Sequence, residues 1–389
     1  MGVFDTIQAR KNTRSVKWDG LKSVFQTKDV LPMWVADMDF KSPQAVNEAL
    51  MKRVEHGIYG YTMIDHDVKN SIVNWIKRRH HWQIQRDWLT FSPSVITSLH
   101  IAIQALTEPN DKVLIQTPVY TPFFNVLKQH NREMVKNPLV LQNNYYKIDF
   151  EDFEDKLKQG VKAFILCSPH NPVGRVWTRD ELEEIARLCL KYDVIILTDE
   201  IHGDLVYPNH HHIPFASLSN EIAEQTITFM SPSKTFNLAG LQASYMIVKN
   251  QTKHKKLTEH LKKQGLNTLN TMGNTALEAA YNHGESWLDE LISVLHDHRN
   301  YVTEMLESRT KELKVINSEG TYLIWINCSG LKMDSPSLRK FMIEKAKVGL
   351  NPGMNYGKEG SQFMRMNIAC PRAILEEGVN RIITAVNER

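Results

Sequence analysis

The chain has 389 residues, of which 42% are hydrophobic and 23% charged, values that are ordinary for a globular protein with two or three domains. The formal charge of +3 gives no reason to expect binding to nucleic acid or to an anionic membrane, and no apolar stretch has the length of a membrane span. The four cysteines form no CxxC pair and no secretory signal is visible, which predicts reduced thiols in a cytoplasmic protein.

The first element with a chemical role is a predicted helix in residues 92–106. Apolar residues recur there with helical spacing after Thr97 and Ser98, so we expect the helix to begin at that point. The backbone N–H groups of Val95 to Thr97 would then face a bound anion such as a phosphate.

Short apolar segments rich in β-branched residues follow and are predicted to be strands. Their nearly continuous apolar character is typical of a parallel sheet that is covered on both faces. These segments are 111–120, 161–169, 192–200, 226–234 and 241–250. Thr178 and Glu181 have capping-box spacing at the start of an amphipathic helix between two of them, which predicts a strand–helix–strand unit.

The pattern changes beyond about residue 250. Long helical stretches lead to a strand-like "GTYLIWINC" and a final helix, which favours a smaller α+β domain completed by the N-terminal segment. We therefore predict a large domain over residues 45–285 and a small domain formed by residues 1–44 and 286–389.

Polar side chains follow three consecutive predicted strands, in the segments "SPHNPVG", "TDEIHGDL" and "SPSK". Ligands of open α/β sheets bind at the carboxyl ends of strands, so we expect these side chains to share one pocket. They are Asn171, Asp199, His202, Ser231, Ser233 and Lys234.

This set of groups matches the needs of pyridoxal phosphate. A lysine amine forms an imine with the cofactor aldehyde, and a carboxylate keeps the ring nitrogen protonated. An amide can donate to the ring oxygen, while hydroxyls and the N–H groups of a helix start can hold the phosphate. Tyr120, at the end of "QTPVY", is the candidate aromatic for stacking on the ring.

The order of "NPVG", "DEIH" and "SPSKTFNLAGLQ" resembles the fold-type I pyridoxal-phosphate enzymes of the aspartate aminotransferase superfamily, over nearly the whole chain. The resemblance implies an α/β fold with a mostly parallel seven-stranded sheet flanked by helices. "PMWVADMDF", "GIYGYT" and "DEIHGDL" are more similar to the MalY/PatB-type cystathionine β-lyases, or C–S lyases. Aminotransferases of the superfamily usually carry an arginine eight residues after the lysine, where this chain has Gln242.

The resemblance also implies roles for individual residues. Lys234, Asp199 and Tyr120 are the implied catalytic residues. Lys234 is the Schiff-base lysine and the proton-transfer base, Asp199 pairs with the ring nitrogen, and Tyr120, like Asn171, contacts both cofactor and substrate. Arg365 binds the substrate α-carboxylate, with Arg372 as the alternative. The other implied contacts are those of Val95, Ile96, Ser231, Ser233 and His202 with the cofactor, of Ala36 with the substrate, and of Tyr61 with the cofactor phosphate of a partner subunit in a homodimer that shares its active sites.

The implied reaction is α,β-elimination from cystathionine or another L-cysteine S-conjugate, which gives pyruvate, ammonia and a thiol within cysteine and methionine metabolism. One alternative is an aminotransferase that uses the same cofactor and the same first proton transfer. Another is a regulatory or binding protein on this fold, since a fold does not determine function. His202 could serve only in packing, and Glu200 is predicted to be structural. The "NHHH" run at 209–212 is predicted to be a solvated loop, and no metal is expected.

Overall fold

The computed structural model describes residues 2–266 and 268–389. Each of the five predicted strand segments contains a strand, shorter than the segment at one or both ends. The strands are β1 (Leu31–Pro32), β2 (Leu89–Ser92), β3 (Lys112–Thr117), β4 (Glu133–Pro138), β5 (Val140–Gln142), β6 (Tyr145–Lys147), β7 (Val161–Cys167), β8 (Ile195–Asp199), β9 (Thr226–Met230), β10 (Ser244–Ile247), β11 (Lys314–Val315), β12 (Leu323–Asn327), β13 (Val348–Gly349), β14 (Asn351–Pro352) and β15 (Phe363–Asn367).

The helices alternate with strands in the middle of the chain and dominate after residue 250. They are α1 (Val16–Asp19), α2 (Leu21–Phe25), α3 (Gln44–His56), α4 (His66–His80), α5 (Val95–Leu106), α6 (Thr121–Gln129), α7 (Phe150–Leu157), α8 (Arg179–Lys191), α9 (Asn220–Gln225), α10 (Pro232–Thr235), α11 (Gln251–Lys263), α12 (Thr271–His283), α13 (Glu285–Arg309), α14 (Ser335–Glu344) and α15 (Arg372–Asn387). Among the helices of the described residues, none combines the length and the apolar character needed to cross a lipid bilayer.

The central sheet has seven strands in the order β2–β10–β9–β8–β7–β3–β4. Strand β10 pairs antiparallel with both of its neighbours, and the other pairs are parallel. The predicted α/β fold with a mostly parallel seven-stranded sheet is therefore confirmed.

Both faces of this sheet are buried, as the continuous apolar character of its strands predicts. Successive residues point to opposite faces, so Phe164 packs with helices α7 and α8 while Ile165 packs with the residues of α5, α6 and α11. Ile196 and Leu197 divide between the two faces in the same way. The two apolar layers hold the carboxyl ends of the strands in fixed positions.

A second sheet is antiparallel and has the order β11–β12–β15–β14. The N-terminal segment joins this C-terminal part of the chain, because β1 pairs in parallel with β13 and Leu31 lies opposite Val348. The division of the chain at residues 44 and 285 stays a prediction.

Local capping explains where two of the helices begin. Thr178 and Glu181 form the predicted capping box of α8. Helix α5, however, begins at Val95, so the predicted start after Thr97 and Ser98 is wrong by four residues. Ser94 takes an extended conformation and its hydroxyl accepts the N–H of Thr97 at 3.1 Å. This cap satisfies a donor of the first turn, so the helix can begin ahead of the apolar pattern.

Candidate active site

The carboxyl ends of β7, β8 and β9 bring the predicted polar residues to one edge of the sheet. Asp199 is the last residue of β8 and lies opposite Cys167 on one side and Phe229 on the other. A cavity at this edge contains about 770 Å³ of atom-free space, part of it open to solvent. Of the predicted site residues, those that line the cavity are Ala36, Val95, Ile96, Tyr120, Asn171, Asp199, His202, Ser231, Ser233 and Lys234.

Lys234 lies in α10, the four-residue helix that follows β9. Its side chain is partly exposed toward the cavity, and Nζ donates a hydrogen bond to the carbonyl oxygen of Ala36 at 2.6 Å. Desolvation and the charge of Arg365 lower the pKa of Lys234 to about 8, against the opposing effects of Asp37 and Asp199. About a tenth of the amine is therefore neutral at pH 7, and this is the form that a nucleophile or a proton acceptor requires.

Asp199 is almost completely buried at the end of β8. Burial raises its pKa to about 7, although the N–H of Ile201 donates to Oδ1 at 3.2 Å and Lys234 also favours the ionised form. The surroundings that the chain supplies thus do not hold this carboxylate fully ionised. A cationic group placed in the cavity next to Asp199 would restore its charge.

Arg365 approaches Asn171 from the second sheet, where it lies in β15. Its Nη1 donates to Asn171 Oδ1 at 3.2 Å, and its Nη2 donates to the carbonyl oxygen of Trp34 at 2.9 Å. The guanidinium also lies over the ring of Tyr356, 5.1 Å from the centroid, and its buried Nε has no hydrogen-bond partner among the described residues. Arg365 is therefore held beside the cavity with donor capacity left for a ligand.

Arg372, the alternative for the same role, occupies a different environment. It begins α15, is bonded to Glu376 at 2.7 Å and lies over the ring of Tyr301 at 3.7 Å from the centroid. The geometry favours Arg365 over Arg372 for contact with a ligand in the cavity.

Tyr120 and His202 are both uncharged groups at the cavity wall. Burial and the nearby charge of Asp199 raise the pKa of Tyr120 to about 12, so its hydroxyl keeps its proton. Burial, Lys234 and Arg365 lower the pKa of His202 to about 3, so its ring is neutral. The ring of His202 also packs edge-on against Tyr322, with centroids 5.9 Å apart, which leaves both packing and ligand contact open to it.

The start of α5 and the α10 turn leave only part of the donor set predicted for a phosphate available. The N–H groups of Val95 and Ile96, in the first turn of α5, have no acceptor within the helix. The N–H of Thr97, the third predicted donor, is already used by Ser94. The hydroxyl of Ser231 is also engaged, since it donates to the carbonyl oxygen of Ala243 at 2.7 Å and accepts the N–H of Ser233 at 3.0 Å.

The sequence model of the family described as aminotransferase class I and II matches residues 28–382. The chain belongs to this family.

Individual relatives point to a narrower group within the family. The chain is 44% identical over 385 residues to the Bacillus subtilis (strain 168) protein named cystathionine beta-lyase PatB, covering 99% of this chain and 100% of that protein. The structure of cystalysin from Treponema denticola, which contains pyridoxal 5'-phosphate, is 38% identical with a TM-score of 0.96, covering 99% of this chain and 98% of that one. A pyridoxal-phosphate-bound protein from Clostridium difficile 630, provisionally assigned as an aminotransferase, is 45% identical with a TM-score of 0.97 over 99% of both chains. The predicted resemblance to the PatB type is confirmed.

Two of the predicted site residues do not line the cavity. One is Arg365, which is hydrogen-bonded to Asn171 in the cavity wall, and the other is Tyr61. The side chain is fully exposed in the loop that follows α3, where Tyr59 is also more than half exposed. Its predicted contact with a partner's cofactor stays a prediction.

The sequence predicts Ala36 only as a contact of the substrate, and it gives no sign of the roles of Trp34 and Tyr322 near the cavity. The carbonyl oxygens of Ala36 and Trp34 accept from Lys234 and Arg365, and the hydroxyl of Tyr322 donates to the carbonyl of Ala36 at 2.9 Å. Backbone acceptors cannot be recognised from residue types. The only available signal is the segment "WVAD", which lies within the stretch "PMWVADMDF" that resembles the C–S lyases.

The histidine run differs from its prediction as a solvated loop. His212 is buried, and its Nε2 lies 2.9 Å from Glu200 Oε2. Glu200 also accepts the N–H of Phe215 at 3.0 Å. The end of the histidine run is therefore held by hydrogen bonds to Glu200, the first residue after β8. His210 and His211 remain on the surface.

Proposed function

We propose that the protein is a pyridoxal-phosphate-dependent C–S lyase that cleaves cystathionine or other L-cysteine S-conjugates to pyruvate, ammonia and a thiol. The observation that carries the proposal is the placement of Lys234 and Asp199 in one cavity at the ends of adjacent strands. The cystathionine β-lyase among the relatives of the chain supports the choice of reaction.

The cavity fits this cofactor by the chemistry of its donors. Asp199 is buried and its pKa is raised to about 7, which matches a protonated ring nitrogen as its partner. That nitrogen would supply the positive charge needed to keep the carboxylate ionised. The amine of Lys234 is accessible from the cavity for the aldehyde, and Asn171 lies at the same wall for the ring oxygen. Val95 and Ile96 would hold the phosphate through their N–H groups, with the hydroxyl of Ser233 beside them.

Within this cavity the side chains have distinct tasks. When bound, the cofactor would supply an electron-withdrawing ring that stabilises negative charge on the substrate α-carbon. Arg365 would hold the α-carboxylate through a fork of two hydrogen bonds, oriented by its bond to Asn171. Lys234 Nζ would accept the α-proton, after which the sulfur leaves the β-carbon as a thiolate. Tyr120 would cover one face of the ring.

A homodimer is part of this proposal. Helix α3 and the loop after it expose a set of large apolar side chains, which is unusual for a surface that remains in water. These are Met51, Val54, Ile58, Tyr59, Tyr61 and Met63. A second copy of the chain would cover this surface and receive Tyr61 at its cofactor phosphate. Light scattering of the holoenzyme should give twice the chain mass, and a monomer with full activity would contradict this part.

The proposal also covers location and domain organisation. Cys167, Cys189, Cys328 and Cys370 are all buried and unpaired, which fits a reducing cytoplasm. We retain residues 45–285 as the large domain, with residues 1–44 and 286–389 as the small one.

An aminotransferase is the second candidate, because the Clostridium difficile neighbour carries that provisional assignment. Gln242, at the position where superfamily aminotransferases usually have arginine, lines the cavity and favours the lyase.

One incubation separates the two reactions. The purified holoenzyme is mixed with cystathionine alone, and pyruvate and free thiol are assayed over time. We expect both products to form in equal amounts without any added 2-oxo acid. Turnover that depends on a 2-oxo acid and releases no thiol would contradict the lyase assignment.

A further inference from the structure

Asp204 follows β8 by five residues and joins three parts of the chain. Its Oδ2 accepts a hydrogen bond from Thr235 Oγ1 at 2.7 Å, and its Oδ1 accepts one from Trp75 Nε1 at 3.1 Å. The same Oδ1 lies 2.8 Å from His80 Nε2. Trp75 and His80 belong to α4, whereas Thr235 follows Lys234 directly. These four residues are buried, and within the described part of the chain none of them lines the cavity.

The turn that carries Lys234 needs support from outside. Helix α10 has only four residues, too few to be stable through its own hydrogen bonds. Ser231 caps its first turn by accepting the N–H of Ser233. At the other end, the side chain of Thr235 reaches Asp204. Lys234 therefore sits between two anchored residues.

The loop from Asp199 to Asp204 is a tight unit. The N–H of Glu200 donates to the carbonyl of Phe229 at 3.0 Å, and the N–H of Gly203 donates to the carbonyl of Glu200 at 2.8 Å. These two bonds restrain the backbone between Asp199 and Asp204.

The carboxylate of Asp204 has the charge state that such an anchor requires. Burial alone would raise its pKa, but the hydrogen bond and charge of His80, with the bond from Thr235, hold the pKa below its usual range. An ionised carboxylate forms stronger and shorter hydrogen bonds than a neutral one.

We propose that Asp204 is a positioning residue for the reaction: through Thr235 and the loop after β8, it fixes the lysine turn and Asp199 relative to each other. His80 and Trp75 hold Asp204 against α4. This inference rests on the proposed function, because it assigns the two positioned groups to one cofactor.

The test uses holoenzyme variants at Thr235, which lies outside the cavity. Thr235→Val replaces the hydroxyl by a methyl group of similar size, and Thr235→Ser keeps the hydroxyl. Thr310→Val is the matched control, since Thr310 is also buried and its hydroxyl donates to the carbonyl of Leu306 at 2.7 Å. Hydrogen exchange of residues 199–205 and 231–236 is measured by mass spectrometry, together with kcat and KM for cystathionine.

We expect Thr235→Val to lower kcat by about tenfold with KM nearly unchanged, because the reacting groups are misplaced while substrate binding is kept. Exchange should become faster in both segments together, and Thr235→Ser should restore both readouts. Thr310→Val should alter neither. Equal kcat and equal exchange in Thr235→Val and Thr310→Val would overturn the inference.

Asp204→Asn provides a second route if Thr235→Val does not fold. It keeps the shape of the side chain and removes its charge, and it should also accelerate exchange in both segments. Faster exchange in neither segment would overturn the inference. If the cofactor in the wild-type holoenzyme is not linked to Lys234, the proposed function is contradicted as well. If the cofactor is linked to Lys234 but Thr235→Val changes neither kcat nor hydrogen exchange, only the role of Asp204 is contradicted.

Discussion

Two sets of charged side chains are withdrawn from water in this protein, and they are built in opposite ways. In the N-terminal cluster, the carboxylate of Asp39 meets Lys17 Nζ at 2.6 Å, Arg10 Nη1 at 2.7 Å and Trp18 Nε1 at 2.8 Å. Lys17 is only 1% exposed and Asp39 only 3%. Arg10 forms a further ion pair with Asp37 at 2.8 Å. The protein itself supplies the partners of every charge in this cluster.

In the cavity at the sheet edge, the titratable groups of Lys234 and Asp199 are hydrogen-bonded to neutral backbone atoms. Lys234 meets a carbonyl oxygen and Asp199 a backbone N–H, and burial shifts the pKa of each toward its neutral form. A buried ion that is satisfied by the fold serves structure, whereas a buried group with a perturbed pKa in a cavity is a candidate for chemistry. The same residue types thus have different roles because of their surroundings.

Lys234→Ala should have the largest effect. The variant loses the amine that links the cofactor and moves the proton, so we expect kcat/KM for thiol release to fall by at least about 1,000-fold. Lys253→Ala is the control, because Lys253 is another partly buried lysine whose pKa is lowered first by desolvation. Equal activity in the two variants would remove Lys234 from the mechanism.

Asp39→Asn should cause the largest loss of stability. Lys17 would stay buried without its closest carboxylate, and breaking a buried pair in this way costs about 3–5 kcal/mol in the free energy of unfolding. Denaturant unfolding measures the loss. Asp29→Asn, at an exposed pair with Lys347, should leave the free energy unchanged. Equal stability of both variants would show that the N-terminal cluster contributes nothing to the fold.

Asp199→Asn should raise the stability of the cofactor-free protein above neutral pH, in contrast to the loss of stability expected for Asp39→Asn. The pKa of Asp199 rises from 3.8 to about 7 on folding, so the folded state binds more protons than the unfolded state between these values. Stability is therefore lost as the pH rises through this window, by up to about 4 kcal/mol. The variant should be more stable than wild type at pH 8, by a margin that shrinks toward pH 4. Denaturant unfolding of both proteins across this pH range measures the difference in stability. A difference that does not depend on pH would contradict the raised pKa of Asp199.

Arg365→Lys should have the smallest effect of the four. The charge is kept, but the fork of two donors is lost, so we expect KM for cystathionine to rise by roughly 10- to 100-fold. Arg372→Lys should leave KM unchanged, since Arg372 is paired with Glu376. A larger change in Arg372→Lys than in Arg365→Lys would reverse the assignment of the carboxylate contact.

The sequence could predict the strand-end side of the cavity because its groups follow buried strands directly. Asn171, Asp199 and Lys234 each lie within four residues of a strand, so the sheet alone places them together. The opposite wall depends on contacts between residues about 200 or more apart in the chain, such as Lys234 with Ala36. No local pattern encodes those contacts. The predicted start of α5 is wrong for a different reason, because Ser94 caps the helix by accepting the N–H of Thr97, ahead of the first residue of the apolar pattern.

Chemical trapping of the cofactor linkage tests the central claim most directly. The holoenzyme is reduced with borohydride and digested, and the peptides are mapped by mass spectrometry. We predict a pyridoxyl group on Lys234 and on no other lysine. An unmodified Lys234, or a label on another lysine, would contradict the account of this cavity as the catalytic centre.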